Sequence, residues 1–265
     1  MSDDAAEYVR RTTAGAEYVT HITQTEADQR ARRAFQDLAL RIAPPAGTLF
    51  DFGAGPGIDA RYFAERGLKV EAYDVDPRMR EYFRAHCRDL IEAGSVTLDC
   101  SDYADFLRRP DTVSGRRVDL VVANFAPLNL VADLPALFAR FHAITAANGK
   151  VLASVLNPFF LRDVRLRWWR HSLPELLRTG YYFMPGPQAP HFRRRLANFA
   201  ALSPPCFELV RVYRGLPAAD GGPPGGFGAR SGRSLVWLRM LRSRYMFLLF
   251  ERLPDSDAHE PPEHL

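Results

Sequence analysis

An open α/β sheet, mostly parallel and covered by helices on both faces, is the fold this chain predicts, on three observations. Short apolar strands alternate with helical segments between residues 48 and 157, the first strand runs directly into a glycine-rich turn, and two further strand-like runs follow an aromatic, arginine-rich interruption. The 265 residues, 47% hydrophobic and 25% charged, suffice for one sizeable α/β domain or for one domain with an appended lid.

Each element has its own signal. Ala31, Phe35, Leu38 and Ile42 share one face of a helix running from about Glu26 to Ile42, which Pro44-Pro45 stops. TLFDF (48–52) reads as a buried strand, the glycines after it as a turn, and IDARYFAERG (58–67) as a helix closed by Gly67. LKVEAYD (68–74) is a second strand, PRMREYFRAHCRDLIEAG (77–94) a helix begun by proline, and SVTLDC (95–100) a third strand. VDLVVANF (118–125) is a fourth strand, LPALFARFHAITAANG (134–149) a helix, and KVLASVLN (150–157) a fifth strand. HFRRRLANFAAL (191–202) predicts a helix, CFELVRVYRGL (206–216) a strand, RSLVWLRMLRSR (233–244) a helix and YMFLLFERL (245–253) the last strand. Between them PAADGGPPGGFGARSG (217–232) has loop composition. The chain thus divides into an N-terminal helical lid segment (1–46), a ligand-binding core (47–157), an aromatic and basic lid insertion (158–190), a stretch completing the sheet (191–254) and a tail (255–265).

Composition excludes several classes. The longest apolar runs, such as MFLLF at 246–250, fall far short of the roughly 18–20 residues of a membrane span. The acidic N-terminus lacks a secretory pattern, so a cytoplasmic location is expected. Cys87, Cys100 and Cys206 are widely spaced, which predicts reduced thiols and neither a disulfide framework nor a metal site. All of the 35 basic residues except Lys69 and Lys150 are arginine. Clusters at 162–170 and 193–195 read as solvated basic surface, with an anionic substrate or nucleic acid as the alternative.

The stretch LFDFGAGPGIDA (49–60) carries the chemistry. Gly53, Gly55 and Gly57 sit where the first strand of an open sheet turns into its helix, the place where such sheets bind ligands. The dinucleotide pattern G-x-G-x-x-G fails because its third glycine falls on Ile58, and the P-loop pattern fails for want of its lysine. The stretch resembles instead the signature of class I S-adenosylmethionine-dependent methyltransferases, hydrophobic-x-Asp/Glu-x-Gly-x-Gly-x-Gly, with Asp51, Gly53, Gly55 and Gly57 in register.

The resemblance implies a Rossmann-like seven-stranded sheet whose last strand is antiparallel. It also implies S-adenosylmethionine as cofactor and S-adenosylhomocysteine as product. It places Asp74, at the end of the second strand, on the ribose hydroxyls and Val75 against the adenine, with Asp76 left to cap the next helix. It selects Asp102, followed by Tyr103, for the adenine amino group, with Asp99 as the alternative. It sets Asn124 and Phe125 beside the methionine half and Tyr18 of the N-terminal segment over the cofactor. Carboxylates suit the hydroxyl and amine donors of such a ligand, whereas the phosphates of ATP would be repelled.

The sulfonium methyl is already activated, so alignment and exclusion of water suffice for transfer. Candidate groups to assist an acceptor are His21, His171 and His191, with Asn129 as an orienter. Trp168, Trp169, Tyr181, Tyr182 and Phe183 in the insertion are candidates for an acceptor pocket, or for gluing a lid to the sheet. Arg30, Arg32 and Arg33 are read as solvated. The expected partner is a small-molecule acceptor, aromatic or anionic, with nucleic acid disfavoured: the fourth strand ends in Asn124-Phe125-Ala126-Pro127 and lacks the N/D-P-P-Y/F motif of amino-methylating enzymes. The alternatives are a nucleic-acid methyltransferase and a non-catalytic protein that binds the cofactor.

Overall fold

The computed structural model describes residues 26–109, 112–184, 191–214 and 243–254. The predicted helix at 233–244, the loop at 217–232 and the tail at 255–265 lie almost wholly outside them. Along the chain run α1 (Glu26–Ile42), β1 (Thr48–Phe52), α2 (Ile58–Ala64), β2 (Lys69–Tyr73), α3 (Pro77–His86), α4 (Arg88–Glu92), β3 (Val96–Asp99), α5 (Tyr103–Arg108) and β4 (Val118–Ala123). After a 3₁₀ turn at Pro127–Asn129 come α6 (Leu134–Ile144), β5 (Thr145–Leu156), α7 (Leu161–Val164), α8 (Arg167–Thr179), β6 (Tyr181–Met184), β7 (His191–Arg194), α9 (Leu196–Leu202), β8 (Phe207–Arg214) and β9 (Tyr245–Arg252).

Seven strands form one sheet in the order β3-β2-β1-β4-β5-β9-β8, and β6 pairs with β7 in a separate hairpin. The first five run parallel, and β9 is antiparallel to both β5 and β8. The expected sheet with an antiparallel last strand is therefore present. The order reverses at β1, whose neighbours are β2 and β4, so the glycine turn after Phe52 opens at the switch point.

Strand alternation divides the core in two. Phe50, Phe52, Val121 and Ala123 face Phe138 and Phe141 of α6. Leu49, Leu120 and Val122 face Phe35 of α1 and Phe63 of α2. Asp51 shares the second face with Leu49, which turns its carboxylate toward α1 and α2.

Three predicted helices differ from those observed. The helix at 77–94 breaks at Cys87, whose fully buried side chain packs beneath the glycine turn, its thiol 3.4 Å from the Gly57 carbonyl. The helix at 134–149 ends at Ile144, because Thr145 already pairs with Val118 and β5 begins there. The helix at 191–202 starts only at Leu196: residues 191–194 are the second strand of the β6–β7 hairpin. The insertion therefore ends in a hairpin that reaches past residue 190.

Gly57 caps α2 at φ +84°, and a Cβ there would lie 2.7 Å from the Cys87 sulfur and 2.9 Å from the Phe83 ring. Gly67, at φ +87°, faces open space. Gly57→Ala is expected to cost about 1–3 kcal/mol more than Gly67→Ala, since only the first adds overpacking to backbone strain. Equal losses in urea titration would show that the contact under the turn relaxes freely.

Candidate active site

The turn after β1 is tied to β2 before any ligand arrives. The Gly53 and Ala54 amides both donate to the Tyr73 carbonyl, at 2.8 and 3.0 Å. Gly55 N donates to Asp74 Oδ2 at 2.7 Å, and Asp76 N to Asp74 Oδ1 at 2.8 Å. A Cβ on Gly55 would meet nothing within 4 Å, so the middle of the turn faces unfilled space. Asp76 caps α3 by accepting from Arg78 N at 2.8 Å, as expected, which leaves Asp74 as the carboxylate turned to the glycines.

Beside Asp74, Val75 stands 47% exposed, an apolar side chain at the lip of the turn. On the next loop Asp102 is exposed and caps α5, accepting from Asp105 N at 2.7 Å. Asp99 is buried and occupied by Ser101 N and the Arg109 guanidinium, so of the two candidates Asp102 is the accessible one. Tyr103, half-buried, packs its ring along Phe106 against the core, at 6.2 Å between centroids.

Beneath the turn lies a buried polar cluster. Asp59, in the first turn of α2, accepts from Arg32 Nη1 at 2.6 Å, Gln36 Nε2 at 2.7 Å and Asn124 Nδ2 at 3.0 Å. Asn124 Oδ1 accepts in turn from Phe125 N and from Ser154 Oγ, at 2.9 and 3.1 Å. These bonds hold Phe125 and Ala126 at φ +59° and +67°, a costly conformation for two consecutive residues other than glycine. Arg32 also lies 4.4 Å from the Phe125 ring, which meets Tyr245 edge-on at 5.5 Å. Arg32 is thus not the solvated arginine expected, whereas Arg30 and Arg33 are exposed. Its signal was available: Arg32 and Gln36 are four apart, beside the Phe35 face, and Asp59 is the lone acid in an otherwise apolar start to α2.

Charge in this region is unbalanced. Burial and the neighbouring carboxylates Asp59 and Asp74 push Asp51 well above the usual carboxylate range, with Arg32 opposing. Burial raises Asp74 to about 6, against the two amides it accepts. Asp51 Oδ2 is buried without a hydrogen-bond partner. A buried acceptor with no donor, a negative surplus and an unfilled glycine turn fit a ligand that brings positive charge and hydroxyl donors, which S-adenosylmethionine does.

The remaining candidates fall out differently. Tyr18 and His21 lie outside the described residues, as does the Trp168 side chain. Asn129 is fully buried and committed at both ends, donating to the Phe192 carbonyl at 2.6 Å and accepting from Leu156 N at 3.0 Å. It is a clamp between the 3₁₀ turn, β5 and the hairpin. Arg194 adds to that clamp through the carbonyls of Leu128 and Val131, at 3.0 and 2.6 Å. Trp169 donates from Nε1 to the Pro158 carbonyl at 2.8 Å, which anchors α8. Tyr181 and Phe183 are 40% and 43% exposed and flank Phe192, standing on the hairpin surface, while Tyr182 is half-buried. His171 is exposed, and His191 Nε2 accepts from Arg193 Nε at 3.1 Å. Among the described residues no group of His, Cys, Asp or Glu converges to hold a metal ion, and no helix is long and apolar enough to cross a membrane.

Comparison with known proteins agrees with this geometry. No curated protein matches the chain in sequence. Among solved structures, a 1,6-didemethyltoxoflavin-N1-methyltransferase from Burkholderia thailandensis, with bound 1,6-didemethyltoxoflavin and S-adenosylhomocysteine, superposes at a TM-score of 0.60 and 17% identity, over 96% of this chain and 91% of that one. The CcbJ methyltransferase from Streptomyces caelestis superposes at 0.59 and 15%, over 91% and 98%. A TehB-like methyltransferase from Corynebacterium glutamicum does so at 0.54 and 13%, over 95% and 99%. A family model described as a methyltransferase domain matches residues 23–197, about two thirds of the sequence, and with the glycine turn and strand order above it shows that the chain belongs to the class I S-adenosylmethionine-dependent methyltransferases.

Proposed function

We propose that the protein transfers a methyl group from S-adenosylmethionine to a small-molecule acceptor, aromatic or anionic, at the carboxyl end of β4. The observation that carries the small-molecule reading is the clamp of the insertion onto the 3₁₀ turn. Asn129 and Arg194 bond the β6–β7 hairpin to the segment after β4. A covered site suits a compact acceptor better than a polymer.

In this reading Asp74 accepts the ribose hydroxyls, Val75 packs on the adenine and Asp102 takes its amino group. Asp51 takes the ligand's ammonium at its unpaired oxygen, and Gly53, Gly55 and Gly57 let the methionine half approach the backbone. Bound S-adenosylmethionine supplies an electrophilic methyl on sulfur. The chain's task is alignment: Asn124 fixes the backbone of Phe125, and the clamped hairpin keeps water from the reacting atoms. Asn129 is fully buried and spends its amide on the clamp, toward the Phe192 carbonyl and Leu156 N, so it is not assigned to the chemistry.

Isothermal titration with S-adenosylhomocysteine checks the cofactor half, and binding by the wild type is expected. A panel of aromatic acids and phenols with radiolabelled donor checks the acceptor. Labelling of RNA without turnover of any small molecule would replace the acceptor reading.

A further inference from the structure

Arg80, in the second turn of α3, ties together two loops that no strand ladder joins. The ladder between β2 and β3 ends at the pair Tyr73 and Asp99, and beyond it the chain departs to α3 on one side and α5 on the other. The half-buried Arg80 guanidinium bridges the gap. Its Nε donates to the Asp74 carbonyl, Nη1 to the Cys100 carbonyl at 2.7 Å, and Nη2 to the Ser101 carbonyl at 2.7 Å. One planar fork thus satisfies three backbone acceptors on two loops, a geometry lysine cannot reproduce.

These are the loops that carry Val75 and Asp102. The ribose loop is also held by Asp74, which accepts from Asp76 N and Gly55 N, and the adenine loop by Asp99, which accepts from Ser101 N and Arg109. Among the described residues the other side-chain tie from α3 to the adenine loop is Arg84 Nη2 on the Cys100 sulfur at 2.9 Å, so Arg80 is the residue that grips the backbone of both. We infer that Arg80 is a positioning residue that sets the separation of the ribose loop from the adenine loop, and so determines affinity for the adenosine half of the cofactor without touching it. The inference rests on the placement of adenosine proposed above.

Titration of S-adenosylhomocysteine and of 5′-methylthioadenosine into the full chain tests it. Arg80→Ala is expected to weaken both by about tenfold or more, since hydrogen bonds from a charged donor are lost on both loops. Arg80→Lys should fall between that variant and the wild type, and millimolar guanidinium should restore much of the affinity of Arg80→Ala. Arg61→Gln is the control for general loosening: Arg61 binds Asp89, Glu65 and the His86 carbonyl, away from both loops. It should be less stable than wild type yet bind both ligands normally. Wild-type affinity in Arg80→Ala overturns the inference and leaves the cofactor assignment standing. So does a loss that Arg61→Gln matches and guanidinium does not reverse. Failure of the wild type to bind either ligand removes the cofactor placement itself, a result distinguishable before any variant is made.

Discussion

Asp59→Ala is expected to lower the free energy of unfolding by about 3–5 kcal/mol, the largest stability effect among the polar side chains around the turn. The reason is what stays behind. Arg32, whose side chain is 13% exposed, loses its carboxylate at 2.6 Å and becomes a largely buried charge without its counter-ion, and the Gln36 and Asn124 amides each lose an acceptor. Asp37→Ala, on the same face of the molecule, removes only an exposed bond from the Tyr62 hydroxyl at 3.3 Å and should stay within about 0.5 kcal/mol of wild type. Denaturant titration of the two variants decides the matter. A loss below about 1 kcal/mol for Asp59→Ala would mean that Arg32 escapes to water, and that the polar cluster carries little energy. The same variant should weaken S-adenosylhomocysteine, because Asn124, released from Asp59, no longer holds Phe125 in its strained conformation.

Asp74 produces the largest effect on binding. Asp74→Ala is expected to weaken S-adenosylhomocysteine by about a hundredfold or more, since charge-assisted hydrogen bonds to two ribose hydroxyls disappear and the Gly55 and Asp76 amides lose their acceptor. The pH dependence is specific. With the folded carboxyl raised to about 6 and an ordinary value near 3.8, the ligand-free folded state holds a proton between those values that the unfolded chain has released. Stability of the ligand-free protein therefore falls as pH rises through that window, by about 3 kcal/mol for a shift of roughly two units. Asp51, raised by the same burial, acts in the same direction. Binding has the opposite trend, because the ionised carboxylate is the better acceptor: affinity should drop as pH falls below about 6 in the wild type and keep only the weaker dependence that Asp51 contributes in Asp74→Asn. A wild-type affinity flat from pH 5 to pH 8 would show that Asp74 does not face the ligand.

Much of the fold was legible because alternation and punctuation are local. Pro77 behind Asp76, and Gly53, Gly55 and Gly57 after an apolar strand, are signals a short window contains. The errors have a common cause in contacts from afar. Cys87 ends a helix because Gly57 lies above it, and Thr145 leaves a helix-favouring run because Val118 offers a ladder. His191 to Arg194 form a strand because Tyr181 to Met184 pair with them.

The candidate site divides along the same line. Asp74 and Asp102 could be named as candidates because strand ends are legible. Asp59 and Arg80 left no such local signal, since they reach groups 20 or more residues away in other elements, and Arg32, whose partner Asp59 is equally remote, left only its spacing from Gln36. Asn129 shows the converse, a side chain of suitable chemistry that the clamp has taken for the scaffold.

The place of β9 in the sheet has a consequence for how the molecule is made. Among the described residues β8 is an edge strand paired with β9 alone, and β9 also closes the open side of β5. As the chain leaves the ribosome, β8 emerges first with nothing to pair against, while β5 waits with a bare edge until residues 245–252 arrive. The two strands must then enter together, β9 sliding between partners separated from it by about a hundred residues on one side and about forty on the other. Until β9 pairs, β5 presents an unpaired strand edge, the kind of surface that promotes association between chains.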